Sequence, residues 1–182
     1  MARWEPLLDE LVRERGHALV GYAFLLCGDT AQAEDLVQDA LVKTFSGRLG
    51  AEQVRSAESY VKRAILSTYL DGFRRRKHWA AIRHLSAVPD DDGARTEALV
   101  TDRMHVFQAL GSLAPRERAC VVLRFYEDMT VRQIADHLSL SQGSVKRYLF
   151  DAVRSLEHTL GPVHLEDGEE IETTPVQGRR TR

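Results

Sequence analysis

Gln142, Ser144, Lys146 and Arg147 lie in the run Ser141-Gln-Gly-Ser-Val-Lys-Arg147, a polar and basic stretch suited to reading DNA. Gln and Arg pair bidentately with adenine and guanine edges in the major groove. The residues before them, Thr130-Val-Arg-Gln-Ile-Ala-Asp-His-Leu-Ser-Leu140, supply what such a site needs for support. Thr130 and Gln133 have capping-box spacing, and Ile134, Ala135 and Leu138 recur on one helix face. Ala135 is small where two helices cross closely. Ser141 suits the N-cap of a second helix packed through Val145 and Leu149. The whole reads as a helix-turn-helix, whose second helix enters the major groove N-terminus first and can hold a phosphate there. Ser139 falls at the turn, where a positive φ favours glycine, so serine there costs about 1 kcal/mol. The blander alternative is a helical hairpin with a solvated polar face.

A second cluster lies between Tyr60 and His84. Lys62, Arg63, Arg74, Arg75, Arg76, Lys77 and Arg83 face the single acid Asp71 and are interleaved with Tyr60, Tyr69, Phe73 and Trp79. Cations holding a backbone beside rings that stack on bases suit partly single-stranded nucleic acid. A solvated helix end is the competing reading, with Tyr69 in the core. A third face, Glu34, Asp35, Gln38 and Asp39, lies opposite the apolar stripe Ala33, Leu36, Val37, Ala40, Leu41, Thr44, Phe45; alone it is an amphipathic helix. Catalysis finds little support. There is no glycine-rich phosphate loop, no HExxH and no metal-like Cys/His spacing. His78 and His84 are six apart and do not share a helix face, and Cys27 and Cys120 read as inert core thiols.

The elements that position these residues read as helices. The chain has 182 residues, 43% hydrophobic and 7% aromatic, with 12 Gly and 5 Pro, which favours helix over a turn-rich sandwich. Net charge is −2, an average that hides the basic stripe and the acids at Asp90 to Asp92 and Glu166 to Glu172. No apolar run reaches the ~18 residues of a membrane span. The start lacks a signal-peptide core, and two distant cysteines make no disulfide scaffold, so a cytoplasmic location and no membrane partner are expected.

A first helix reads through Leu7, Leu8, Leu11, Val12 and, after Gly16, through Leu19, Val20, Ala23, Phe24. Asp29 or Thr30 caps a second. A third spans about Ser56 to Arg76, with Tyr60, Val61, Ala64, Ile65, Thr68 and Tyr69 inward. Gly47 to Ala51 is a loop, Ser86 to Glu97 an acidic linker. Helical segments follow at about Glu97–Leu113, Pro115–Glu127, Thr130–His137 and Ser141–Leu160. The expectation is an all-α protein of two small helical domains, 1–85 and 98–161, with a flexible acidic linker at 86–97 and a disordered tail at 162–182.

Asp29-Thr-Ala-Gln-Ala-Glu-Asp-Leu-Val-Gln-Asp39, Ser59-Tyr-Val-Lys-Arg with Asp71-Gly-Phe-Arg-Arg-Arg76, and Leu113-Ala-Pro-Arg-Glu-Arg through Val145-Lys-Arg stand in the order of regions 2.2, 2.3/2.4 and 4 of sigma-70-type factors. Over about residues 4 to 160 the chain resembles the extracytoplasmic-function (ECF) sigma factors, most of all the actinobacterial SigE branch. The resemblance implies a promoter-specificity subunit of bacterial RNA polymerase, not an enzyme, with no cofactor or metal. Glu34, Asp35, Leu36, Gln38 and Asp39 would dock on the core polymerase clamp helices. Arg55, Arg63, Arg74, Arg75, Arg76 and Lys77 would hold the −10 strand while the loop around Ser46 to Arg55 pockets a flipped base. Thr130, Arg132, Gln133, Ser141, Gln142, Ser144, Lys146 and Arg147 would meet the −35 element. Partners would be core polymerase, promoter DNA and, optionally, an anti-sigma factor. Departures are Ser67 or Thr68 where the family often has Asn, Ser139 where it has Gly, and Ser144 where it has Thr. The alternative function is a stand-alone dimeric helix-turn-helix regulator reading a palindrome. A polymerase-docking adaptor that reads no DNA would leave the basic recognition helix unexplained.

Overall fold

The computed structural model describes residues 4–46, 54–83 and 102–160, with backbone alone for 54–56, 76–83 and 102–104. The expected linker and tail, and the loop at 47–51, lie outside the described residues. Every regular element described is helical.

Helix α1 (Glu5–Cys27) starts with Pro6 in its first turn, where no amide donor is needed, and runs unbroken through Gly16. As the apolar pattern on both sides of Gly16 implied, the helix is continuous, with Leu11, Leu19, Tyr22, Ala23 and Leu26 forming one buried face across it. Gly28 ends the helix at φ 77°, donating its N–H to the Phe24 carbonyl. Asp29 then caps α2 (Thr30–Ser46), its Oδ1 accepting the Gln32 N–H at 2.7 Å. The α2 face that packs inward comprises Ala33, Leu36, Val37, Ala40, Thr44 and Phe45, close to the stripe expected.

Helix α3 (Val54–Arg83) has 30 residues, about 45 Å at 1.5 Å per residue. Its buried row is Ala57, Val61, Ile65, Leu66, Thr68 and Tyr69. Tyr60, expected inward, is 51% exposed. The buried row follows 57, 61, 65 and 69 at i+4, and position 60 lies one helical step, about 100°, off Val61.

The second unit contains α4 (Asp102–Ser112), α5 (Pro115–Val121), α6 (Val131–Leu138) and α7 (Gln142–Leu160). Pro115 opens α5, and Glu117 accepts the Ala114 N–H at 3.1 Å. The helix expected to continue to Glu127 instead loosens into a π-helical turn over Val122–Tyr126. Val145, Leu149 and Ala152 of α7 face inward.

The two units pack on each other: α1 and α3 both touch α5, and α1 touches α4. Core residues of both belong to one contiguous apolar cluster. Phe24 and Phe107 meet edge to face at 5.0 Å. Arg118 of α5 is buried, and its Nε donates to the Leu25 carbonyl at 2.7 Å.

Candidate nucleic-acid interface

The α6–α7 pair has the local geometry its sequence dictates. Thr130 Oγ1 accepts the Gln133 N–H at 3.3 Å, and Gln133 Oε1 accepts the Thr130 N–H at 2.8 Å. The reciprocal box fixes where α6 begins. Ser139 ends α6 in the left-handed conformation, φ 53° and ψ 48°, at the turn position expected to prefer glycine. Ser141 Oγ accepts the Ser144 N–H at 3.1 Å and caps α7.

Four expected contact residues are therefore engaged at caps: Thr130, Gln133, Ser141 and Ser144. The exposed remainder is Arg132, Gln142, Lys146 and Arg147. Arg147 leans on Asp151 at 3.6 Å with most of its side chain in water, a pair weak enough to yield to a base or phosphate.

On α3, Arg63, Arg74 and Arg75 are exposed. Positions 63, 67, 71 and 74 share one face, where Arg74 reaches Asp71 at 3.5 Å. Tyr69 is buried and meets Phe73 edge to face at 5.0 Å, so it supports the helix from within. The side chains of Arg55, Arg76, Lys77 and Trp79 lie outside the described residues, as does most of the loop assigned to a flipped base.

The α3 face and the helix-turn-helix are brought together. They form opposite walls of a cleft of about 920 Å³, with Arg63, Ser67, Asp71 and Arg74 on one side and His137, Ser139, Leu140 and Tyr148 on the other. Burial, then the Arg63 charge, lowers the His137 pKa from its ordinary value.

On α2, Glu34, Asp35, Gln38 and Asp39 are exposed, whereas Leu36 is buried. Leu36 belongs to the packing beneath this face. The sequence reading missed Val42, which is 67% exposed and continues the face at i+3 from Asp39 and i+7 from Asp35. Its signal was an apolar residue in register with the polar face. Lys43 Nζ donates to Thr68 Oγ1 at 2.8 Å and ties α2 to α3.

Neither thiol is set up as a nucleophile. Burial pushes Cys120 up to about 12 and also raises Cys27. Among the described residues no cluster of His, Cys, Asp or Glu could hold a metal, and no helix is long and apolar enough to cross a membrane.

Residues 11–78 match the Sigma-70 region 2 family model, and residues 109–158 match Sigma-70, region 4. The chain is 35% identical over 153 residues to the RNA polymerase sigma-E factor of Streptomyces coelicolor, covering 84% of this chain and 85% of that one. It is 29% identical over 157 residues to the ECF RNA polymerase sigma factor SigL of Mycobacterium tuberculosis, covering 85% and 89%. Among solved structures, the sigma factor RpoE co-crystallised with the anti-sigma factor NepR from Bartonella quintana shares the fold, with TM-score 0.58, 18% identity, and coverage of 84% of this chain and 95% of that one. With both regions in one chain and near full-length relatives of one kind, the chain belongs to the extracytoplasmic-function family of sigma-70-type RNA polymerase sigma factors.

Proposed function

We propose that this sigma factor divides its work among three faces, with region 2 in residues 1–85, the connector in 86–97, region 4 in 98–161 and a tail in 162–182. The α2 face of Glu34, Asp35, Gln38 and Asp39, extended by Val42 and backed by Leu36, docks on core RNA polymerase. The α3 face, with Arg63, Arg74 and Arg75 and the adjoining Arg55, Arg76 and Lys77, holds the melted −10 strand. The N-terminal half of α7 reads the −35 element through Gln142, Lys146 and Arg147. Arg132 reaches the backbone beside it, while Thr130, Gln133, Ser141 and Ser144 cap the helices and offer amides to phosphates. The protein acts by binding and positioning, without catalytic chemistry, cofactor or metal of its own. An anti-sigma factor is a further partner, in line with the complex in which the structural neighbour was solved.

The observation that carries this reading is the capped helix-turn-helix with Gln142, Lys146 and Arg147 exposed on its second helix. The test is assembly of the purified chain with bacterial core polymerase, followed by promoter opening on a random-sequence pool. Stoichiometric binding and selection of a bipartite −35/−10 sequence is the expected result. Selection of a palindrome by the chain alone, without polymerase, would hand the case to the stand-alone regulator.

A further inference from the structure

Region 4 carries an apolar groove that none of the three faces uses. The π-helical turn at Val122–Tyr126 presents Phe125 and Tyr126 on its rim, 54% and 49% exposed, and irregular turns of this kind are frequent at functional sites. Val106 of α4 and Leu160 at the end of α7, also exposed, complete the rim. Eight large apolar side chains are exposed among the described residues, and these four gather round one groove. Buried Leu110 and Val122 form its floor, and the α7 row Val153, Leu156 and Leu160 forms its long wall at i, i+3 and i+7. Apolar side chains collected in one patch mark a binding groove, whereas the same residues scattered singly would need no explanation.

We propose that the chain's own segment Val163–Leu165 covers this groove, folding back from the end of α7 as a strap over region 4. This holds whichever faces meet polymerase and DNA. Position is the first reason. Leu160 is itself on the rim, and the sequence continues Gly161-Pro-Val-His-Leu-Glu-Asp-Gly-Glu-Glu170. Glycine followed by proline ends a helix and lets the chain reverse. Register is the second. In an extended segment residues i and i+2 point to one side, about 7 Å apart, so Val163 and Leu165 enter the groove together while His164 faces water. Size is the third. The groove holds about 280 Å³, and about 150 Å³ takes one benzene-sized group, so there is room for two branched aliphatic side chains. A second copy of the chain fits poorly, because a stable interface buries about 800 Å² on each partner and this groove admits two side chains. Charge agrees with the direction of the strap. Running back along α7, it carries Glu166 and Asp167 past Val153 towards exposed Arg154, whose guanidinium lies 5.7 Å over the Phe150 ring. A short tether gives an effective concentration in the millimolar range, so a contact too weak to hold a free peptide closes the groove within one chain. Any partner that uses the groove must first displace the strap.

Methyl-labelled NMR of the full-length chain reads the strap directly. Cross-relaxation peaks are expected from the Val163 and Leu165 methyls to the Phe125 and Tyr126 rings, and their absence overturns the proposal. A mixture of chains labelled only in methyls with chains labelled only in rings separates the sources. Peaks that persist in the mixture assign the groove to a second copy and equally overturn the strap. Val163→Asp with Leu165→Asp should abolish the peaks and retain the helical circular-dichroism signal. The emptied groove should then raise the fluorescence of the apolar dye anilinonaphthalene sulfonate several-fold. Equal dye fluorescence in the parent and the double variant would show a groove already open in the free chain, awaiting a separate partner, and would sink the strap. His164→Asp changes the residue that faces water and should leave both readouts as in the parent. A dye signal that rises as much for His164→Asp as for the double variant would contradict the register.

Discussion

Ser139 shows how much a single position can reveal. The turn between α6 and α7 requires a left-handed residue, and Ser139 adopts it at φ 53°. A side chain there incurs a clash of Cβ with the following carbonyl that glycine avoids, about 1 kcal/mol. Ser139→Gly is therefore expected to raise the melting temperature by ~2–4 °C, the shift that ~1 kcal/mol gives a chain of this size. Ser139→Val should lower it, because a β-branched side chain is worse still at positive φ. Differential scanning calorimetry of the pair decides it, and a Gly variant less stable than the parent would contradict the strain. That strain was legible because turn chemistry is local. Tyr60 was not, since a one-residue error in the phase of a helix turns an inward residue outward. Arg118 was not legible at all: nothing in Ala114-Pro-Arg-Glu-Arg118 marks it for burial, yet it is 5% exposed and donates to the Leu25 carbonyl of α1.

Elements were read best where their signals were short-range. The capping box of α6, the serine cap of α7 and the stripe of α2 all appear as their spacing dictates, because each depends on residues three or four apart. The π-helical turn after α5 had no such signal; it arises where the chain packs Val122 and Leu123 inward and bends towards Met129, whose N–H meets the Leu123 carbonyl at 3.0 Å. Two predictions belong at this scale. Asp35→Arg with Asp39→Arg reverses charge on the exposed face of α2 without touching its buried face. Core polymerase binding should fall by a hundredfold or more, since opposed like charges cost several kcal/mol, with the melting temperature unchanged. Retained holoenzyme assembly would show that α2 is not the dock. For α7, Arg147→Ala should relax selection at one −35 base pair, costing about 1–3 kcal/mol of discrimination there, and leave polymerase binding intact. Equal loss of both would remove α7 from the recognition role.

At the scale of the whole molecule, the sequence announced two units but not their embrace, because Arg15, Glu58, Lys62 and Glu127, which meet in one ion cluster, come from three distant stretches that no periodicity links. The titration of this cluster gives a prediction that local structure cannot. The hydrogen bond from Arg15, reinforced by Lys62, holds the Glu58 carboxyl below its ordinary range despite the opposing effect of burial. Burial would pull the Lys62 ammonium down, but hydrogen bonds and charge from Glu127 and Glu58 together push it above its usual value. A carboxylate with a depressed folded-state pKa stabilises the fold above its unfolded value and loses that contribution as pH falls through the folded one. An ammonium with a raised pKa contributes fully below its unfolded value and loses it as pH rises through the folded one. The cluster is thus at full strength between the ordinary carboxylate and lysine ranges, and weakens outside them. Glu58→Gln should lower stability at neutral pH by about 1–2 kcal/mol, the worth of a charge-assisted hydrogen bond. The gap between parent and variant should then close as pH falls through and below the ordinary carboxylate range, where protonation removes the same charge from the parent. Melting curves of both proteins from pH 3 to 8 measure that gap directly. A gap that stays constant over the whole range would mean that Glu58 stabilises through packing alone, and that the charge network contributes nothing to holding α1 against α3.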